Sequence, residues 1–207
     1  MKLINLSLLS LTVLLIFSFS KSSSTTELKL GNKYPGYVET NSGEKIEGYI
    51  WCGDMADNQK SCHFYANETD RKPVKKYKPD ELKSYKISDV LYRTINYSGG
   101  LMNKPLRFLK VSIDGELTMF TFYDESSVPY GQERKTTEVY FKWHDKNFPN
   151  PITNEKFAMN FAKKMSEYLA DYEELSKKIA NKEKGYRLVN MYEIFDEYNK
   201  WYKANNQ

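Results

Sequence analysis

The sequence predicts an α+β fold: an antiparallel β-sheet or partly open barrel of about six to eight strands, followed by two or three C-terminal helices. Three observations carry this expectation. From Tyr34 to Trp143 the chain is a series of short β-rich runs separated by Gly-, Asp- and Pro-bearing corners. Beyond Pro149-Asn150-Pro151 the apolar period lengthens from two to 3.6 residues. Ahead of both stands an apolar leader with no acidic residue.

The leader begins Met1-Lys2 and runs uncharged from Leu3 to Phe19, the form of a cationic n-region and an apolar h-region. Ser18 and Ser20 supply the small residues a signal peptidase needs, and Lys21 opens a polar stretch. Residues 1–20 are therefore expected to be a cleaved signal peptide, residues 21–33 a flexible segment, and residues 34–207 a single domain with strands over 34–148 and helices over 152–204. Cleavage leaves no transmembrane span, and the expected location is periplasmic or extracellular. The formal charge of +4 is spread over interspersed basic and acidic residues, so no nucleic-acid partner is expected.

The first elements are two β-rich runs, Tyr37-Val38-Glu39-Thr40 and Ile46-Glu47-Gly48-Tyr49-Ile50, around the turn Asn41-Ser42-Gly43-Glu44. Shorter strands follow over 62–65, 74–77, 84–87 and 90–97, with Pro79-Asp80-Glu81-Leu82 as a tight corner. The clearest hairpin joins residues 107–113 to residues 117–122 through Asp114-Gly115, and 136–143 alternates as a last strand. In the C-terminal third, Phe157, Phe161, Met165 and Leu169, then Tyr172, Leu175 and Ile179, fall on helical stripes, with Gly185 as a stop. A final helix is expected to start at Asn190 as N-cap, with Glu193 reaching back and Val189 and Ile194 as a hydrophobic staple. Its stripe is Met191, Ile194, Phe195, Tyr198, Trp201 and Tyr202, read as core packing.

Several segments resemble an uncharacterised family of secreted β-rich proteins associated with Bacteroidetes bacteria. They are Gly36-Tyr37-Val38, the run Thr40 to Ile50, the run Tyr77 to Tyr85, Phe108-Leu109-Lys110-Val111 before Gly115-Glu116-Leu117, and Tyr198-Asn199-Lys200-Trp201. The resemblance spans nearly the whole mature chain and rests on turns and core strands. It implies a bacterial exported protein with a strand-then-helix layout, and it brings no activity and no functional residues. The stretch from Cys52 to Cys62 is longer and more polar than that family suggests.

Catalytic signatures are sparse. The two histidines, His63 and His144, form no H-E-x-x-H, and no G-x-S-x-G occurs; Ser98-Gly99-Gly100 reads as a turn. Cys62 and His63 are adjacent on a strand, so their side chains point to opposite faces and cannot act as nucleophile and base. His144 and Asp145 fail on the same ground. Asp54, Asp57 and Asn58 lack the ligand spacing of a calcium loop, and no metal or other cofactor is expected. Carboxylate pairs such as Asp80 with Glu81, Asp124 with Glu125 and Glu173 with Glu174 serve glycosidase chemistry only if folding sets two of them in one cleft.

The two cysteines, Cys52 and Cys62, are read either as a structural disulfide or as two free thiols; a bridge would remove roughly 2.7 kcal/mol of unfolded-chain entropy. The remaining signal is 17 Tyr, 11 Phe and 3 Trp, most of them suited to filling a sheet core. An exposed aromatic platform is sought among Tyr49, Trp51, Tyr65, Tyr92, Tyr123, Tyr130 and Trp143, which lie at strand ends or beside loops. The expected function is a non-catalytic binding or envelope-associated module that takes a glycan or an envelope protein. The alternatives are a glycan or cell-wall hydrolase using dispersed carboxylates, and a structural or assembly partner.

Overall fold

The computed structural model describes residues 28–97, 105–126, 134–143, 150–151 and 155–206. The leader, Tyr130, His144, Asp145 and the Ser98-Gly99-Gly100 turn lie outside the described residues.

Among the described residues, ten antiparallel strands form one open sheet in the order β10-β9-β8-β7-β6-β5-β1-β2-β3-β4. They are β1 (Lys33–Thr40), β2 (Lys45–Trp51), β3 (Cys62–Tyr65), β4 (Lys75–Tyr77), β5 (Leu82–Ile87), β6 (Val90–Asn96), β7 (Leu106–Ile113), β8 (Leu117–Tyr123), β9 (Thr136–Lys142) and β10 (Asn150–Pro151). Helix α1 (Met55–Asn58) interrupts them, and α2 (Glu155–Met159), α3 (Phe161–Tyr168), α4 (Glu173–Ala180) and α5 (Met191–Asn205) follow. The α+β class, antiparallel pairing and strand-then-helix order are those expected. The strand count exceeds the expected six to eight: β4 falls in the run foreseen over 74–77, and the unforeseen strand is β10, whose two described residues are too few to carry a period-two signal.

Both foreseen hairpins form, but the one at Asp114-Gly115 is not a tight turn: the β7–β8 register shifts between Val111 and Ile113, and the last pair is Ile113 with Met119. Between β1 and β2, the Gly43 amide donates to the Thr40 carbonyl at 3.0 Å and the Thr40 amide to the Glu44 carbonyl at 2.9 Å. Pro79-Asp80-Glu81 makes the expected corner, with the Lys78 amide donating to the Glu81 carboxylate at 2.7 Å. Gly36 and Gly48 face each other across β1 and β2. A methyl group on Gly36 would lie 1.9 Å from the Lys86 carbonyl oxygen, and one on Gly48 2.6 Å from the Phe64 ring. Their bare backbones let β5 and β3 close in.

Because directly opposed residues share a face, the register defines an inner and an outer side. The inner side of β1 to β7 carries a core built on Val38, Ile50, Phe64, Leu82, Tyr85, Tyr92 and Phe108. Tyr85 and Tyr92 stack at 4.7 Å, and Phe108 meets Tyr85 edge-on at 4.9 Å. Helix α1 closes this core: the Tyr85 hydroxyl donates to the Asn58 carbonyl at 2.7 Å, and the Phe108 amide to the Gln59 carbonyl at 2.9 Å. The inner side of β8 and β9 carries a second core, where Leu117, Met119 and Tyr140 meet Phe161, Met165, Leu175, Ile194, Phe195 and Tyr198 of the helices. A third cluster, with Leu109, Phe120, Phe122 and Val139, lies on the outer side.

Helix α5 begins where the sequence places it and buries the foreseen Met191, Ile194, Phe195 and Tyr198. Its start corrects the expected cap. Asn190 ends a 3-10 turn (Leu188–Asn190) and makes no side-chain cap bond, while Val189 is 86% exposed and staples nothing. The turn already occupies the Asn190 amide, which donates to the Arg187 carbonyl at 2.8 Å, and so leaves Glu193 no free amide to reach back to.

Candidate binding cleft

A cleft of about 780 Å³ opens on the outer side, where β1, β5, β6, the β7–β8 turn and the end of β9 converge. Its walls carry Glu39, Asn41, Lys83, Ser84, Arg93, Asp114, Glu116 and Trp143. The register explains the assembly: Glu39 faces Ser84 across β1 and β5, and Ser84 faces Arg93 across β5 and β6.

Trp143 is the aromatic wall, 38% exposed. Its indole N–H donates to Thr118 Oγ1 at 2.8 Å, and Thr118 in turn donates to the Gly115 carbonyl at 2.6 Å. Phe141 and Phe120 meet the indole edge-on at 4.9 and 6.4 Å. The ring is thereby fixed, with its polar atom satisfied inside the protein. Arg93 ties the rim together: its guanidinium lies 5.6 Å from the Trp143 ring centroid and its Nη1 is 2.7 Å from Asp114 Oδ1. Such a guanidinium combines ring attraction with planar donors. On the far wall, Ser84 donates to Glu39 Oε2 at 2.8 Å.

The β7–β8 turn forms one side of a further cleft of about 460 Å³, which also takes in Asn199, Lys200, Tyr202 and Lys203 of α5. Asn199 anchors that turn through its carboxamide: the Leu117 amide donates to Asn199 Oδ1 at 2.8 Å, and Asn199 Nδ2 donates to the Leu117 carbonyl at 2.9 Å. A methyl group on Gly115 would sit 2.4 Å from that carboxamide, so glycine here serves helix docking as well as the turn.

The sequence-derived aromatic residues divide into separate places. Tyr49, Trp51 and Tyr65 share the outer side of β2 and β3, where Trp51 stacks on His63 at 5.1 Å and Lys33 covers the Tyr65 ring at 4.7 Å. Tyr65 is 7% and Tyr92 1% exposed, which takes both out of any exposed platform. Tyr92 lies on the inner side, opposite Tyr85, and Lys33 packs over Tyr65. Tyr123 is half-buried at the end of β8, its backbone held by Gln59. Among the described members of this set, only Trp143 lines the cleft. Arg93, Glu39, Ser84 and Asp114 had no local signal beyond the Asp114-Gly115 turn, because they meet only through strand pairing.

On the opposite side, a polar seam separates the two inner cores. Thr121 donates to the Glu138 carboxylate at 3.2 Å, and the Ser112 and Thr121 hydroxyls are 2.6 Å apart. Burial pushes the Glu138 carboxyl above its ordinary range, against the Thr121 hydrogen bond and the Lys110 charge. Cys52 and Cys62 are both buried, with no bond between their sulfurs in the structure. Among the described residues no group of three or more His, Cys, Asp or Glu side chains is placed to hold a metal ion. Among them, too, no helix is long and apolar enough to cross a membrane.

Comparison with protein-family models, curated proteins and solved structures finds no match to this chain.

Proposed function

We propose that this is an exported, non-catalytic binding module of the cell envelope or its exterior, and that the Trp143 cleft takes a glycan chain. The observation that carries the reading is Trp143, an indole locked by Thr118 and presented at the wall of an open, polar-rimmed cleft. The apolar C–H face of a sugar ring packs on an aromatic plane, while its hydroxyls need directional partners. Glu39, Asn41, Ser84, Arg93 and Glu116 supply those groups around the ring. The adjoining cleft across the β7–β8 turn favours an elongated ligand over a single sugar. The apolar leader and the resemblance to secreted Bacteroidetes proteins support export.

A second reading, a hydrolase of glycan or cell-wall material, draws on the three carboxylates Glu39, Asp114 and Glu116 in the one cleft. One experiment separates the two. The purified mature protein, from Lys21 onward, is incubated with a panel of glycans and peptidoglycan fragments, and bound and free material is analysed by mass spectrometry. Retention of intact ligand, weakened about tenfold or more by Trp143→Ala, supports the binding module. Cleaved ligand replaces it with the hydrolase, and neither outcome shifts the function to a protein partner.

A further inference from the structure

Strands β2 and β3 pair antiparallel with Tyr49 opposite Tyr65 and Ile50 opposite Phe64. The same register, carried past the ladder, sets Trp51 opposite His63 and Cys52 opposite Cys62. The first of these pairings is visible in the rings of Trp51 and His63, stacked 5.1 Å apart. Side chains alternate along a strand, so the cysteines point inward. Both do: Cys52 and Cys62 belong to the same apolar core, at 0% and 1% exposure. Both also lie close enough to the Tyr85 hydroxyl to influence its ionisation. Directly opposed residues of an antiparallel pair have Cα atoms about 4.5–5.5 Å apart, within the span of about 4.4–6.8 Å that a disulfide bridges.

We propose that Cys52 and Cys62 are the site of an intramolecular disulfide, formed as the chain folds under oxidising conditions, which ties the α1 segment to the inner core. In this step the two S–H bonds break and an Sγ–Sγ bond forms. Two electrons and two protons pass to an external disulfide oxidant of the oxidised-glutathione class, whose S–S bond is reduced to two thiols. The bridged segment carries Asn58 and Gln59. Asn58 holds both polar backbone groups of Gly53, and Gln59 holds those of Tyr123. The bond therefore staples the element that closes the core.

Burial sets the timing. It pushes both thiols above their ordinary range, Cys62 most strongly, with Asn58 opposing the shift at Cys52. Only a thiolate attacks an oxidant, so the folded dithiol reacts slowly and the unfolded chain promptly. The finished bond is shielded from reductants in the same way.

The test refolds the reduced, denatured mature protein in a glutathione redox buffer. Thiols are then counted in denaturant, and a non-reducing digest is mapped by mass spectrometry. The expected result is no titratable thiol, a linked Cys52–Cys62 peptide and a Tm about 8 °C above that of the reduced protein. Adding the same buffer to the already folded dithiol should give the bond at least about tenfold more slowly. Two thiols still titrating after oxidative refolding would overturn the proposal, and so would cysteines found only as glutathione adducts or chain-to-chain links. Because the test is made in vitro and reads sulfur chemistry alone, it stands apart from the glycan assay.

Discussion

The two inner cores of the sheet are closed by different chemistry. Over β1 to β7 the ion pairs of the closing segment, Asp54 with Arg134 and Lys60 with Glu125, stay at the surface, and its buried contact is neutral: the Gln59 side-chain amide donates to the Tyr123 carbonyl of β8 at 2.8 Å and accepts from the Tyr123 amide at 2.6 Å. It thus occupies the positions that a neighbouring strand's peptide group would take. Over β8 and β9, Asn199 repeats that device on Leu117, and a buried cation is added. Lys142, its side chain 8% exposed, lies under the helices with Nζ 2.7 Å from the Tyr168 carbonyl and 3.2 Å from Asp171 Oδ1, over the rings of Tyr168 and Tyr198. The Tyr198 hydroxyl donates to the other oxygen of Asp171 at 2.5 Å. The α1 plug between β2 and β3 is held at its buried side by neutral hydrogen bonds that reach across the sheet to β8. Helices arriving from a distant part of the chain are here fixed in addition by a charge that only one docking position satisfies, a specificity role buried ion pairs serve in other proteins.

This contrast makes the largest expected effect Asp171→Ala, which leaves Lys142 buried without its carboxylate and should lower stability by about 3 kcal/mol in urea unfolding. Lys142→Met, which removes the charge and keeps the apolar stem, should cost much less. If the two variants cost the same, the ion pair is not what fixes the helices. Next comes Gln59→Ala, which strands two backbone groups of Tyr123 and should cost about 2 kcal/mol. A loss larger than that of Asp171→Ala would reverse the ranking of the two closures.

The smallest effect is the pH response. Burial alone would raise the Asp171 carboxyl, but hydrogen bonds from Tyr198 and Lys142 and the Lys142 charge outweigh it and hold the group below its ordinary range. A carboxyl lowered in the folded state stabilises the fold above its unfolded value of about 4, and that stabilisation is lost as pH falls through the folded value. The urea midpoint of the wild type should therefore drop more steeply below about pH 4 than that of Asp171→Asn. Parallel profiles would place the acid sensitivity at groups other than Asp171.

Much of this was legible locally. The bounds of β3, the two hairpins and the stripe of α5 follow from alternation, turn residues and helical spacing. What escaped is non-local. Nothing near Glu39 announces that the side of β1 away from its hairpin partner β2 pairs with β5, and on that pairing the cleft depends. Trp143 was legible as an aromatic at a strand end, whereas Arg93 was one charge among many until β6 carried it to Asp114. The cap at Asn190 misled because Asn with Glu193 three residues on fits a capping pattern, yet a preceding 3-10 turn had already taken the amide.

The outermost strands of the sheet have a consequence for life at high concentration. β4 offers three residues, two of them the exposed Lys75 and Lys76, and β10 offers two among the described residues, one of them Pro151. A strand this short and this charged, or one lacking an amide hydrogen, is a poor template for a neighbouring molecule's backbone. Crowded copies of this protein meet at blunt borders, and fibre-like stacking would first require the sheet to shed an edge.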